Sequence, residues 1–285
     1  MSNKPNNKNL DYLDFDEKGS SGNTRQTTFK VQETPKSVKA LRLNDEGKYD
    51  EALTLIDNAL KEDKNNFENL NAKGIILNSL SEYEKSIECF NRALVFNGSD
   101  AVKINKADAL YNWAKVNYFP ILDYYKAINL IDEALETLPE GEDPCEYWFL
   151  KAEILESLES PVEARIYYLK AEGEFERAEE LSEQFEFIKS SEDALVTVSG
   201  VNFYEGLDPF KEGLVLDLVK EKDNEHDADA ISVCLDGKKL GYVANSHFTV
   251  LEGVKSASDI KFIKDDQKAE VVFIYYGIYV ILRLI

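Results

Sequence analysis

The densest group of side chains able to bind a ligand lies between Asp223 and Asp229. This short segment contains Asn224, His226 and Asp227. Such carboxylates and amides either hydrogen-bond back to the chain or accept a hydrogen bond from a ligand's hydroxyl group, and an imidazole ring stacks on aromatic rings. From composition alone, the segment is a polar connection that closes a small barrel, with Asn224 and Asp227 as its caps.

Catalytic and metal-binding motifs do not appear in the sequence. There is no G-x-x-x-x-G-K-[ST] loop, no H-E-x-x-H and no G-x-S-x-G. The three cysteines are scattered, without C-x-x-C spacing, and the two histidines do not complete a set of four ligands; these residues are Cys89, Cys145, Cys234, His226 and His247. We therefore expect a protein that is not an enzyme and that holds no metal and no cofactor.

Strands flank the polar segment on both sides. LVLDLV at 214–219 and AISVCL at 230–235 are rich in β-branched and aliphatic residues, which is typical of strands. AISVCL meets KKLGYVA at 238–244 across Asp236-Gly237. An Asp-Gly pair between strands indicates a two-residue hairpin turn, because both central positions need a positive φ. The sequence therefore predicts antiparallel strands in fixed register.

These motifs occur in a specific order. The series N-x-x-D-x-D-A-I from Asn224, then Asp-Gly, then Lys-Lys-Leu-Gly-Tyr-Val, preceded by GVNFYEG at 200–206, resembles the HIRAN domain. This domain is a small β-barrel found in some replication-fork and chromatin-remodelling helicases. The resemblance extends over residues 195–285, about the last third of the chain.

The resemblance implies a site for the 3′ end of a single DNA strand, reached through a helicase or repair complex. An aromatic side chain would stack on the terminal base and a carboxylate would bond the 3′-hydroxyl. The residues that it assigns to nucleic-acid binding are Asn202, Phe203, His226, Asp227 and Tyr242. Asn202 and Phe203 stand where the family can have a basic residue and a tyrosine. The alternative is that Asp227 only caps the connection and that Tyr242 is an aromatic of the barrel wall.

The middle of the chain repeats itself. Six residues recur 34 positions later in the same order: Ala40, Tyr49, Ala52, Ile56, Ala59 and Leu60 become Gly74, Tyr83, Ser86, Phe90, Ala93 and Leu94. Further copies follow as Ala107, Ala127, Ile131 and Ala134, and as Ala152, Ala164, Tyr168 and Ala171. Small residues let two antiparallel helices approach closely. The pattern resembles the tetratricopeptide repeat; an unrelated helical bundle is the alternative.

In such repeats the first helices line a concave groove for a protein or peptide partner. The groove residues predicted in this register are Asn71, Ile75, Asn78, Asn105, Lys106 and Asn112. Asparagine side chains pair with peptide groups because each offers donors and an acceptor. The third copy has extra residues around 117–120, which we expect to lengthen a helix or to form an inserted loop.

Net charge differs along the chain, which totals −21 over 285 residues. Residues 1–34 are neutral, residues 35–190 have 18 basic and 32 acidic residues, or −14, and residues 191–285 have 10 and 17, or −7. Nucleic-acid binding normally draws on excess Lys and Arg. The barrel lacks that excess, so any such binding must come from a local site. The alternative function is a scaffold that binds proteins and no nucleic acid.

One apolar run needs to be distinguished from a membrane segment. VVFIYYGIYVIL at 271–282 is uncharged but has only 12 residues, whereas a spanning helix needs about 20. Two strands turning near Gly277 account for it better. With no signal peptide at the start and no disulfide framework, we expect a protein of the reducing cytoplasm.

The sequence thus predicts an α + β multidomain chain. A flexible polar tail spans 1–34, an α-solenoid of tetratricopeptide helix pairs with a capping helix spans 35–190, and a small all-β barrel of the HIRAN type spans 191–285. We expect an adaptor that combines protein binding with nucleic-acid binding.

Overall fold

The computed structural model describes residues 34–246 and 249–285. The predicted flexible tail at 1–34 lies, except for its last residue, outside the described residues, as does His247. Within the described part, helices occupy the first section of the chain and strands the last. None of the helices in this part is both long enough and apolar enough to cross a membrane.

The helices form antiparallel pairs. Their bounds are α1 Lys36–Asp45, α2 Tyr49–Glu62, α3 Phe67–Ser79, α4 Tyr83–Phe96, α5 Asp100–Val116, α6 Tyr124–Thr137, α7 Cys145–Ser157, α8 Pro161–Ala171 and α9 Phe175–Ser190. The small residues of the repeat lie at the crossings: Ala40, Ala107 and Ala152 are fully buried. This agrees with the predicted solenoid.

Close approach is tightest between α3 and α4. A Cβ atom on Gly74 would lie 2.5 Å from the ring of Phe90, which is itself fully buried. Ser86 donates a hydrogen bond from Oγ to the Gly74 carbonyl oxygen at 2.7 Å. Because Gly74 has no side chain, α3 and α4 can pack closely, with the Phe90 ring against the Gly74 backbone.

The third copy is both lengthened and interrupted. Helix α5 has 17 residues, four more than α3, and it is followed by a kinked turn at Asn117–Ile121, in which Phe119 has extended backbone angles of φ −150° and ψ 129°. Asn117 is buried, and its Nδ2 donates to the Trp113 carbonyl oxygen at 2.8 Å. Both forms expected for the extra residues are therefore present.

The strands close into a barrel with neighbour order β1-β4-β3-β2-β5-β6, all pairs antiparallel. Their bounds are β1 Leu195–Ser199, β2 Val215–Lys220, β3 Ile231–Leu235, β4 Lys238–Val243, β5 Lys268–Tyr275 and β6 Tyr279–Leu284. The predicted turns at Asp236-Gly237 and near Gly277 are confirmed, with positive φ at both glycines. Alternate residues of each strand fill the barrel interior.

The barrel's outer wall packs on the last two helices. Four buried wall residues form one apolar cluster with α8 and α9; they are Leu195, Phe273, Tyr275 and Ile281. Phe187 of α9 meets Phe273 edge to face, with ring centroids 5.8 Å apart. Helix α9 therefore contacts the helical stack on one side and the barrel on the other.

Candidate nucleic-acid interface

Asn224 shapes the connection between β2 and β3. Its Oδ1 accepts hydrogen bonds from the backbone N–H groups of His226 at 3.0 Å and Asp227 at 3.1 Å. This is the Asx-type turn that short polar side chains form with their own backbone. The turn leaves the His226 side chain exposed and turns Asp227, which is half-buried, toward the barrel.

The Asp227 carboxylate is held by two internal donors. Oδ1 accepts from the backbone N–H of Asp229, and Oδ2 accepts from Nδ2 of Asn245, both at 2.9 Å. Asn245 in turn accepts from the backbone N–H of Ser258, whose hydroxyl donates to Asp229 at 2.7 Å. Asp227 thus joins the connection to the segments after β4, as a cap does, and it retains further acceptor positions on its oxygens.

Tyr242 lies at the centre of a second network. Its hydroxyl accepts from Nζ of Lys239 at 2.7 Å and donates to Oε2 of Glu221 at 3.1 Å. Lys239 also forms an ion pair with Glu221, and its ammonium lies 4.6 Å from the centre of the Tyr242 ring. The tyrosine is therefore fixed by polar contacts as well as by packing.

Gly241 allows this placement of Tyr242. A Cβ atom on Gly241 would lie 2.7 Å from Val198 and 2.8 Å from the Ser199 carbonyl oxygen. Strand β4 can therefore approach β1 closely just before Tyr242, and Ser199 donates from Oγ to the Tyr242 carbonyl oxygen at 3.2 Å. This close approach explains why a glycine precedes Tyr242 in the strand.

An exposed aromatic side chain, Tyr204, adjoins Tyr242, and the exposed Phe203 precedes it in the chain. A 3₁₀ turn at Val201–Phe203 presents Asn202 and Phe203 to solvent, and the Phe203 side chain is 89% exposed. The next residue, Tyr204, is 39% exposed, and its ring centroid lies 6.4 Å from that of Tyr242. We name Phe203, Tyr204 and Tyr242 the aromatic surface. Rings of this kind stack on nucleobases irrespective of sequence.

Charge at the aromatic surface is balanced within the protein. Hydrogen bonds to Glu221 and then to Tyr242 raise the pKa of Lys239. Burial acts to raise the pKa of Glu221, but hydrogen bonds from Lys239, Asn224 and Tyr242 outweigh it and lower that pKa. Lys238 is paired with Glu205. Both lysines next to the surface are thus already paired with carboxylates.

The structure brings the five residues assigned to nucleic-acid binding into one region. Asn224, which holds His226 and Asp227, also donates from Nδ2 to Glu221 Oε2 at 3.1 Å. Glu221 contacts Tyr242, which packs beside Tyr204, and Tyr204 directly follows Asn202 and Phe203 in the chain. One continuous series of contacts therefore joins the connection to the aromatic surface.

Sequence reasoning missed four residues of this region: Tyr204, Glu221, Lys239 and Asn245. Tyr204 had a signal, because it belongs to the same GVNFYEG motif as Phe203. Glu221 and Lys239 lie 18 positions apart and meet only because β2 and β4 flank β3 in the barrel. No local pattern marks such a pair.

In the helical half, asparagines pair across neighbouring repeats. Asn105 donates from Nδ2 to Asn71 Oδ1 at 3.0 Å, and Asn112 donates to Asn78 Oδ1 at 3.4 Å. Each pair joins α3 to α5 between residues 34 positions apart. We call these pairs the asparagine rungs.

The other two predicted groove residues are placed differently. Ile75 packs against the helical core, and Lys106 is bonded to Glu133 of α6 at 2.9 Å. The Lys106 side chain is only 13% exposed. The asparagine rungs therefore offer the polar part of this surface.

Comparison with known proteins gives one family match. The HIRAN domain family model matches residues 192–264. No match is found among curated proteins. Among solved structures, three of MamA resemble the chain weakly: "MamA MSR-1 C2" at 18% identity and TM-score 0.36, "Crystal structure of MamA" at 20% and 0.34, and "MamA 41-end from Desulfovibrio magneticus RS-1" at 18% and 0.37.

These structural matches cover 49%, 49% and 50% of this chain and 74%, 77% and 75% of the MamA chains, respectively. Similarity this low has no bearing on function. The assignment of the two halves depends instead on the HIRAN match and on the helix pairs, with their small residues at the crossings. The chain therefore consists of helix pairs with small residues at their crossings, followed by a barrel that the HIRAN domain family model matches over residues 192–264.

Proposed function

We propose that the protein is a non-catalytic adaptor. Its helical half binds a protein partner, and its barrel binds the free 3′ end of a single DNA strand, presented within a helicase or repair complex. Both halves are of types that bind other molecules, and the function follows from the sites that they present, since a fold alone does not determine function.

The observation that carries the proposal is the exposure of Phe203, which precedes Tyr204 in the chain, together with the packing of Tyr204 beside Tyr242. An 89% exposed phenylalanine contributes little to folding, because its ring remains in water. The same ring is available to a nucleobase, and the next residue, Tyr204, contributes a second ring that packs beside Tyr242. Stacking on such a side chain is worth about 1–3 kcal/mol per base.

The connection between β2 and β3 contains Asp227, the carboxylate that distinguishes a free 3′ end from the interior of a strand. Within the protein, each carboxylate oxygen of Asp227 accepts one hydrogen bond. Each oxygen has the capacity to accept a second. A 3′-hydroxyl would donate to one of these remaining positions, with the exposed His226 ring beside the terminal sugar or base. An internal nucleotide has no such hydroxyl to donate.

The asparagine rungs support the protein-binding half of the proposal. Each amide has two donors and an acceptor, so the bond within a rung uses only part of its capacity. The remaining groups of Asn71, Asn78, Asn105 and Asn112 match the N–H and C=O groups of a peptide. The charge of −14 over residues 35–190 favours a basic partner.

The DNA proposal is tested by titrating the full chain into a 5′-fluorescent single strand that ends in a 3′-hydroxyl or in a dideoxy nucleotide. The dideoxy end removes the donor without adding charge. We expect weaker binding of the dideoxy strand, and an affinity loss of about 5- to 150-fold for Phe203→Ala.

Phe96→Ala is the matched control, since Phe96 is 49% exposed and lies on α4, away from the barrel. It is expected to bind like the wild type. Equal, weak binding of both strands by the wild type would remove the DNA claim.

A second function, a scaffold that binds only proteins, is favoured by one observation. Lys238 and Lys239 are both paired with glutamates, so the aromatic surface offers no unpaired charge from them to phosphates. Aromatic side chains are also frequent in protein interfaces. This function would be supported if a cross-linking group placed at Phe203 captured a protein while no strand bound.

A further inference from the structure

Glu221 occupies the centre of the polar network beside the aromatic surface. It pairs with Lys239, accepts from the Tyr242 hydroxyl at 3.1 Å and accepts from Asn224 Nδ2 at 3.1 Å. Its side chain is 25% exposed and that of Lys239 is 31% exposed. This pair is thus more sheltered than the neighbouring pair of Lys238 and Glu205, whose side chains are 63% and 46% exposed.

The ion pair with Glu221 determines whether Lys239 can bind a phosphate group of a ligand. Proteins gain affinity for nucleic acid when Lys or Arg replaces the counterions of a phosphate. A lysine already neutralised by a sheltered carboxylate must first give up that partner, and it also loses its hydrogen bond to Tyr242. The phosphate would in addition approach the negative charge of Glu221. Phosphate binding at this point is therefore disfavoured, whereas base stacking is not.

We infer that Glu221 is a specificity-determining residue of the barrel. By holding Lys239, it prevents the ammonium group from binding backbone phosphates, so that the aromatic surface binds the terminal nucleoside and not the interior of a strand. This inference rests on the proposed binding of DNA ends. It adds that Glu221, through its negative charge and its ion pair with Lys239, excludes the interior of a strand from the aromatic surface.

The test is Glu221→Gln in the full chain. The amide has the same shape and still accepts from Tyr242 and Asn224, but it releases Lys239 from the ion pair. The probes are a linear single strand and the same sequence ligated into a circle, which has no end. Affinity for both is measured by fluorescence anisotropy over a series of salt concentrations.

We expect the wild type to prefer the linear strand, with weak salt dependence. In Glu221→Gln, one new phosphate contact should raise affinity for the circular strand about five- to tenfold at low salt. The preference for the linear strand should fall accordingly. The slope of log affinity against log salt should steepen by about 0.7, the value for one contact on a single strand.

Two controls isolate Lys239. Asp217→Asn makes the same charge change on the same barrel, where Asp217 pairs with Lys268 at 2.6 Å, and it should leave the linear preference unchanged. Adding Lys239→Met to Glu221→Gln should abolish the gain. An equal gain in Asp217→Asn, or a gain that survives Lys239→Met, would show a general charge effect and overturn the inference.

The wild type separates this inference from the proposed function. If the folded wild type binds neither strand, both fail. If the wild type prefers the linear strand but Glu221→Gln shows no steeper salt dependence, or binds the linear strand more weakly, only the role of Glu221 fails.

Discussion

Asp227 accepts a hydrogen bond from Asn245 at 2.9 Å, which ties the connection after β2 to the segment after β4. The two residues are 18 positions apart in the chain. The contact gives Asp227 a structural role in addition to the ligand-binding role proposed for it. The two roles have different consequences on substitution.

Asp227→Ala removes the acceptor for both Asn245 and the backbone of Asp229. We expect the free energy of unfolding to fall by about 1–3 kcal/mol, because the abandoned donors are partly buried. Asp223→Ala, at an exposed position of the same connection, is the control and should change stability by less than about 0.5 kcal/mol. Urea unfolding measures both. An unchanged urea midpoint in Asp227→Ala would contradict the structural role.

Gly74→Ala tests the close approach of α3 and α4. The new methyl group would lie 2.5 Å from the Phe90 ring, so the ring or a helix must move. We expect a loss of about 1–3 kcal/mol in the free energy of unfolding, as for other overpacked cores. Gly98→Ala is the matched control, since no atom lies within 4 Å of its added Cβ. Thermal unfolding that is equal in the two variants would rule out this packing.

Phe273→Ala tests whether the barrel and the helices unfold together. Both tryptophans, Trp113 and Trp148, lie in helices, so their fluorescence reports only on that half. Phe273 is a barrel residue that packs on Phe187 of α9. Its truncation should cost about 3–5 kcal/mol and lower the midpoint seen by tryptophan fluorescence.

Val219→Ala, on the exposed outer face of β2, is the control and should leave that midpoint nearly unchanged. An unaltered tryptophan transition in Phe273→Ala, beside a lowered transition of the strands in circular dichroism, would show that the halves unfold separately.

Glu221 gives the stability a pH dependence of known sign. Its folded-state pKa lies below the ordinary value of 4.5, so the folded state favours the carboxylate. The resulting stabilisation is fully present above the unfolded-state pKa and is lost as pH falls through the folded-state pKa. The urea midpoint of the wild type should therefore drop more than that of Glu221→Gln below about pH 4.5. A constant difference between them from pH 7 to pH 3 would contradict this.

Local chemistry was enough to predict the elements of this fold. Small residues that recur 34 positions apart in the first two copies, and in the same order in later ones, predicted the helix pairs, because helices cross closely only where side chains are small. Asp236-Gly237 predicted a hairpin, because positive φ there is inexpensive only for such residues. The five candidate residues for nucleic-acid binding came from ordered motifs, and the structure places them in one region.

Only the tertiary structure showed what those residues contact. Whether Lys239 meets a phosphate or Glu221 depends on how three strands align in a closed barrel, and local sequence does not encode that distance. The same holds for Asp227 with Asn245, and for the barrel wall that covers α9, whose role from sequence was only to cap the helical stack. Periodicity and turn chemistry act between near neighbours in the chain, whereas charge pairing and burial depend on residues that folding brings together.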